Sequence, residues 1–124
     1  SGVLLAAFLG GEIGILLSIA PKSVTTPIAI ELSRSIGGIP SLTVAMVTIA
    51  GVFGSALGPE IINKVGVRNA IARGLGIGTA SHGLGTSRAV QEGETEGAFS
   101  GLAMGIAGII TAILTPLLVA LLSR

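Results

Sequence analysis

The chain has 124 residues, half of them hydrophobic and only 10% charged, with a net charge of +1 and a mean hydropathy of +0.93. An average soluble domain carries about 25% charged residues, so this is the composition of a membrane-embedded chain. Zero Cys excludes disulfides and thiolate metal sites; seven basic residues without Trp or Tyr lack the charge and stacking surface of a nucleic-acid groove. The 20 Gly suit close helix packing in lipid. With no aromatic belt, Lys and Arg are left to anchor the helix ends.

In chain order, Val3 to Leu9 is an apolar run too short to cross about 30 Å of hydrocarbon. It reads as the tail of a transmembrane helix that begins outside this chain. Gly10-Gly11-Glu12 is a turn signal. Ile13 to Ala20 forms a short apolar half-helix stopped by Pro21, and Ile28 to Ser35 resumes as a second half-helix. Gly37 to Pro40 is a tight connection. Ser41 is positioned to cap a long apolar helix, which Pro59 kinks or ends. Lys64, Arg68 and Arg73 make a basic turn of the kind found on the cytoplasmic side, with a helix stop at Val65-Gly66-Val67 and a new start near Asn69. Ile71 to Ile77 is the next half-helix, Gly78 to Gly85 a break and Thr86 to Gln91 its continuation. Glu92, Glu94 and Glu96 form an acidic connection before an uninterrupted apolar helix from Ala98 to Leu122, followed by Ser123-Arg124.

A polar pattern occurs twice within this apolar sequence. Lys22-Ser23-Val24-Thr25-Thr26-Pro27-Ile28-Ala29 and Gly78-Thr79-Ala80-Ser81-His82-Gly83-Leu84-Gly85 share the order hydroxyl, small apolar, hydroxyl, polar, helix-breaker, apolar, small. The expected fold is therefore all-α: a polytopic integral membrane protein with two discontinuous helices related by an internal repeat. One transmembrane domain covers 1–124, with a first repeat over 10–64 and a second over 65–124. Counted this way, both broken segments run in the same direction; crossed-helix carriers need them antiparallel, which would require one more crossing around Glu60–Arg73, and both arrangements stay open.

Backbone that leaves the helix inside a membrane must be buried in protein or line a watery cavity, and paired interruptions point to a transporter's binding site. A half-helix starting at mid-membrane exposes unpaired N–H groups and partial positive charge, which favours an anion. Ser23, Thr25 and Thr26 in one copy, and Thr79, Ser81 and His82 in the other, add directional hydrogen-bonding groups; the alternative is that they only satisfy freed backbone groups. Pro27 and Gly83 stand where the helix ladder would stop. Lys22 is a cavity cation or an interfacial anchor, and Arg88, a turn past the second break, is a ligand candidate alongside Thr86. Arg34 complements a helix C-terminus, Glu31 has Lys22 or Arg34 as partner, and Glu96 can cap the last helix. His82 suits proton coupling, solute binding or simple hydrogen bonding.

Enzyme readings do poorly. Thr79 to Gly83 loosely imitates a nucleophile elbow, yet Asp is absent and the single His is adjacent in sequence, so no triad assembles. One His and no Cys make no metal-ligand set, and no cofactor is expected. Gly54-x-x-x-Gly58 and Gly101-x-x-x-Gly105 are helix-packing motifs by default.

The stretches Pro21–Ala29, Ser35–Pro40, Gly78–Thr86 and Glu96–Ser100 together resemble the LrgB/CidB family of bacterial membrane proteins. The resemblance covers nearly the whole chain. Family members are about twice as long, which implies a C-terminal half. The resemblance implies a multi-pass protein of the bacterial cytoplasmic membrane. It carries two functional labels: holin- or antiholin-like regulation of murein hydrolase export and lysis, and transport of small carboxylates, as in the plastid glycolate/glycerate translocator and bacterial pyruvate systems with a smaller LrgA-like subunit. The duplicated breaks favour transport of an anion, and the resemblance then implies a monocarboxylate such as pyruvate, glycolate or glycerate, with Lys22, Ser23, Thr25, Thr26, Pro27, Thr79, Ser81, His82, Gly83, Thr86 and Arg88 expected at the site. Expected partners are the lipid bilayer, the carboxylate, and an LrgA-like subunit or further copies of the chain.

Overall fold

The computed structural model describes residues 12–122. The helix tail expected at Ser1–Leu9, the Gly10-Gly11 turn and Ser123-Arg124 lie outside the described residues. The described residues form five helices and no strand: α1 (Ile13–Ile19), α2 (Thr26–Ile36), α3 (Pro40–Val65), α4 (Ala70–Glu92) and α5 (Glu94–Leu122).

Pro21 follows the end of α1 as the sequence suggests, but Pro27 does not interrupt a helix. It sits in the first turn of α2, with extended Thr25 as N-cap (φ −62°, ψ 147°). Proline's fixed φ suits that position, and its missing N–H costs nothing in a first turn. Gly37 ends α2 in the left-handed region at φ 84°, and Gly38 N–H donates to Ser33 O at 2.8 Å. That satisfies a carbonyl the helix end leaves open. A second proline, Pro40, opens α3. Ile39 and not Ser41 is its N-cap, and the helix runs past Pro59 to Val65 instead of ending there. Gly66 closes it at φ 83°, and Asn69 caps α4 by accepting the Ala72 N–H at 3.0 Å, as expected for the basic turn.

Helix α4 departs most from its sequence reading. The expected eight-position break over Gly78–Gly85 is one non-helical residue, His82, at φ 40° and ψ −131°. One residue suffices to turn the chain back. Arg73 Nη2 lies 3.5 Å from Glu92 Oε2, whereas the same 19 residues (92 − 73) in a straight helix would span about 28 Å. The expected acidic connection shrinks to Gly93, and α5 begins at Glu94 instead of Ala98.

The first helix pair closes in a comparable way. Thr43 Oγ1 donates to Ser18 O at 2.9 Å and bonds Ser33 Oγ at 2.7 Å, and Ile39 N–H donates to Ser18 Oγ at 2.7 Å. The end of α1, the end of α2 and the start of α3 therefore meet at one buried hydroxyl cluster. Between Ser18 and Ser33 the chain goes out to Val24, which packs with Ala29 and Val47 in the small apolar core, and comes back.

Glycines set how closely α4 approaches its neighbours. A Cβ at Gly74 or Gly78 would collide with the Glu96 or Ser100 backbone of α5, and one at Gly51 or Gly54 with His82 or Ser81. Of the two pairs singled out in sequence, only Gly54 makes such a close approach; Gly58, Gly101 and Gly105 face open space. Helices α3 and α5 are each long and apolar enough to cross a membrane, and little of either is buried within the chain. Phe53, Ile61, Ile109 and Leu117 are all more than half exposed, which suits contact with lipid or further protein.

Candidate functional site

A cavity of about 320 Å³ opens where the two reversals meet, lined by Thr25, Thr26 and Pro27 from the first and His82, Gly83 and Leu84 from the second; Val47 and Thr48 of α3 form its floor. Both reversals arrive there as helix starts. α2 begins at Thr26, and the second half of α4 begins after His82. Each start presents N–H groups without an intrahelical partner and the positive end of the peptide dipoles. Thr25 makes no side-chain capping bond to α2, so its hydroxyl is not consumed by the helix end.

His82 is the singular residue of the site. It is the one non-glycine at positive φ among the described residues, in a region that L side chains populate at a cost of about 1–3 kcal/mol. It is 96% buried by residue surface (4% exposed). Its Nε2 is the one buried side-chain nitrogen or oxygen among the described residues without a hydrogen-bond partner. Buried polar groups are almost always paired, and this atom, with less than 1 Å² of accessible surface, is the exception. Gly51 makes room for the ring: a Cβ there would come within 2.9 Å of His82 Cε1 and 2.8 Å of Leu84 Cδ1.

Lys22 and Ser23 stand just behind the first reversal. Lys22 Nζ donates to Ser23 Oγ at 3.1 Å, both half-buried, and the ammonium lies within electrostatic range of the His82 ring. The remaining expected residues are elsewhere. Thr79 is exposed, and its Oγ1 returns to Leu75 O at 2.7 Å on the side facing α5. Ser81 is buried against Gly54. Thr86 Oγ1 lies 2.9 Å from Ser100 Oγ. Arg88 is spent on Glu92, with contacts of 2.9 and 2.6 Å. Thr79 and Ser81 lie on the helical stretch before His82 and Thr86 and Arg88 on the one after it, and none of the four lines the cavity. Glu31 pairs with Arg34 at 2.8 Å on an exposed face.

Val47, Thr48, Gly51 and Leu84 were not expected at the site. Only the spacing of Gly51 and Gly54 on α3 hinted that something packs closely there. The sequence also hid a second polar cluster. Arg73, read as part of a basic turn of the cytoplasmic kind, is 8% exposed. Its Nε pairs with Glu96, and Nη1 donates to Asn63 Oδ1 at 2.6 Å and Val67 O at 3.3 Å. Glu96 is thus the partner of a buried arginine and not a helix cap.

The LrgB-like family model matches residues 1–121. "Uncharacterized protein YxaC" of Bacillus subtilis is 46% identical over 94 residues, covering 76% of this chain and 41% of the relative. An "Uncharacterized protein" of Haemophilus influenzae is 43% identical over 98 residues, covering 79% and 42%. "Antiholin-like protein LrgB" of Bacillus cereus is 38% identical over 95 residues, covering 77% and 41%. The aligned part of the chain spans about two fifths of the length of these relatives. No solved structure matches.

Proposed function

The chain belongs to the LrgB-like family, and from that premise we propose that it carries the solute site of a membrane transporter for small monocarboxylates such as pyruvate, glycolate or glycerate. The observation that carries this reading is a cavity walled by two helix starts and lined in part by His82, whose buried Nε2 has no hydrogen-bond partner. A carboxylate supplies what is missing there. Its charge meets the N-termini of α2 and of the second half of α4, and a shift of the His82 ring would bring Nε2, buried as it stands, to one oxygen. Thr25, Thr26 and Thr48 offer hydroxyls, Lys22 a nearby positive charge, and Pro27, Val47 and Leu84 apolar walls for a short carbon chain. In this reading α3 and α5 span the bilayer of a bacterial cytoplasmic membrane. The two reversals are the broken helices of a duplicated unit, 10–64 and 65–124, and an LrgA-like subunit or further copies of the chain cover the exposed apolar faces.

The test is uptake of labelled pyruvate and glycolate by proteoliposomes that contain the intact protein with its small membrane partner. Saturation, with competition by unlabelled acid, is the expected result.

A second reading is an antiholin-like role in murein hydrolase export and lysis, and the names of several relatives favour it over transport. Gly101 and Gly105 of α5, open on the surface, suit the oligomerisation such a role requires. It predicts size-graded leakage of unrelated solutes and a greater sensitivity to bulky residues at Gly101 or Gly105 than at His82.

A further inference from the structure

The two reversals reach the cavity from opposite ends of α3. Thr43, near the helix start, bonds the open end of the first hairpin through Ser18 and Ser33. Val47 and Thr48 meet the first tip, and Gly51 meets His82 at the second. Asn63, near the far end of α3, bonds Arg73 at the open end of the second hairpin.

Along α5 the same landmarks appear in reverse order. Glu96 pairs with Arg73, and Ser100 lies against Gly78 and Thr86. Gly108 then approaches the first hairpin, with Ile28 Cδ1 3.3 Å from where its Cβ would be, and Pro116 lies beside Ser35 near that hairpin's open end. Two independent helices thus measure the same opposition. At 26 residues, α3 is about 39 Å long, enough to cross about 30 Å of hydrocarbon. Charged groups gather at both open ends: Glu31 and Arg34 at one, Lys64, Arg68 and Glu94 at the other.

We infer that residues 13–36 and 70–92 are re-entrant hairpins inserted from opposite membrane faces, so that the two repeat units are inverted relative to each other. A solute at the tips then has one hairpin between it and each aqueous side, and displacing either hairpin opens the site to its own side. The inference rests on the spanning role proposed for α3 but needs no transport to be tested.

The chain has no Cys, so single cysteines at the exposed positions Glu12, Ser41, Arg68 and Thr95 report sidedness directly. The intact protein, with any cysteine elsewhere replaced, is treated with a membrane-impermeant maleimide in right-side-out and in inverted bacterial membrane vesicles. Glu12→Cys and Ser41→Cys should label in one vesicle orientation and lose labelling in the other; Arg68→Cys and Thr95→Cys should show the reverse. Pairing of position 12 with 68, and of 41 with 95, is the pattern of two conventional spans and overturns the inference. Ser35→Cys and Gln91→Cys report the same two faces if Ser41 or Thr95 variants fail to accumulate. An orientation result of either kind stands whether or not the protein carries a carboxylate.

Discussion

His82 combines three unusual features: a backbone angle that favours glycine, near-complete burial and an orphaned ring nitrogen. The strained backbone and the unpartnered nitrogen each cost stability, and the proposed solute site offers a reason for keeping both at one position. The residue type itself can therefore be separated from the turn it makes. His82→Gly should leave thermal stability in detergent at or above that of the parent, because glycine adopts this conformation freely, while saturable carboxylate uptake is lost. A large drop in stability would mean that the ring is there for packing. Gly51 provides a second check at this scale. Gly51→Ala pushes a methyl against the ring and should raise the KM for uptake, with the protein still inserted in the membrane.

At the scale of helices, what matters is how near α4 comes to α3 and α5. A side chain at Gly78 must displace the Ser100 backbone, so Gly78→Val should destabilise by about 1–3 kcal/mol, the usual cost of overpacking. Gly101→Ala, in open space, should stay within about 0.5 kcal/mol; thermal unfolding in detergent compares the two. The buried Arg73–Glu96 pair locks α4 to α5 at the same end. Arg73→Ala leaves a carboxylate buried without its partner, and a loss of about 3–5 kcal/mol is expected, read as reduced membrane accumulation and a lower unfolding temperature.

Much of this layer was legible in the sequence, and the rest had identifiable reasons to be hidden. Gly37 and Gly66 marked helix ends because a left-handed residue there is nearly always glycine. Pro27 and Pro40 misled: a proline stops a helix interior but opens a helix at its first turn, and only the preceding residue's conformation tells which. The second reversal could be placed only to within Gly78–Gly85, since the turn is made by a single histidine with no local signature. Once α4 is helical up to His82, Thr79 and Ser81 fall on faces turned from the cavity, which the shared polar pattern could not reveal. Arg73 looked like a surface charge because its partners, Asn63, Glu92 and Glu96, come together only when α4 doubles back.

At the scale of the whole molecule, the exposed apolar surface of α3 and α5 and the cavity between the hairpin tips make different demands. The first suits lipid or further membrane protein; the second is the place proposed for a small anion. A carrier uses both, whereas an antiholin-like assembly uses only the first. The direct measurement is therefore initial-rate uptake of labelled pyruvate and glycolate by proteoliposomes containing the intact protein with its small partner, beside the same preparation carrying His82→Ala at equal reconstituted amounts. The proposed site predicts saturable uptake in the parent and its loss in the variant. Non-saturable passage of both acids and of an unrelated sugar, unchanged by His82→Ala, would contradict it.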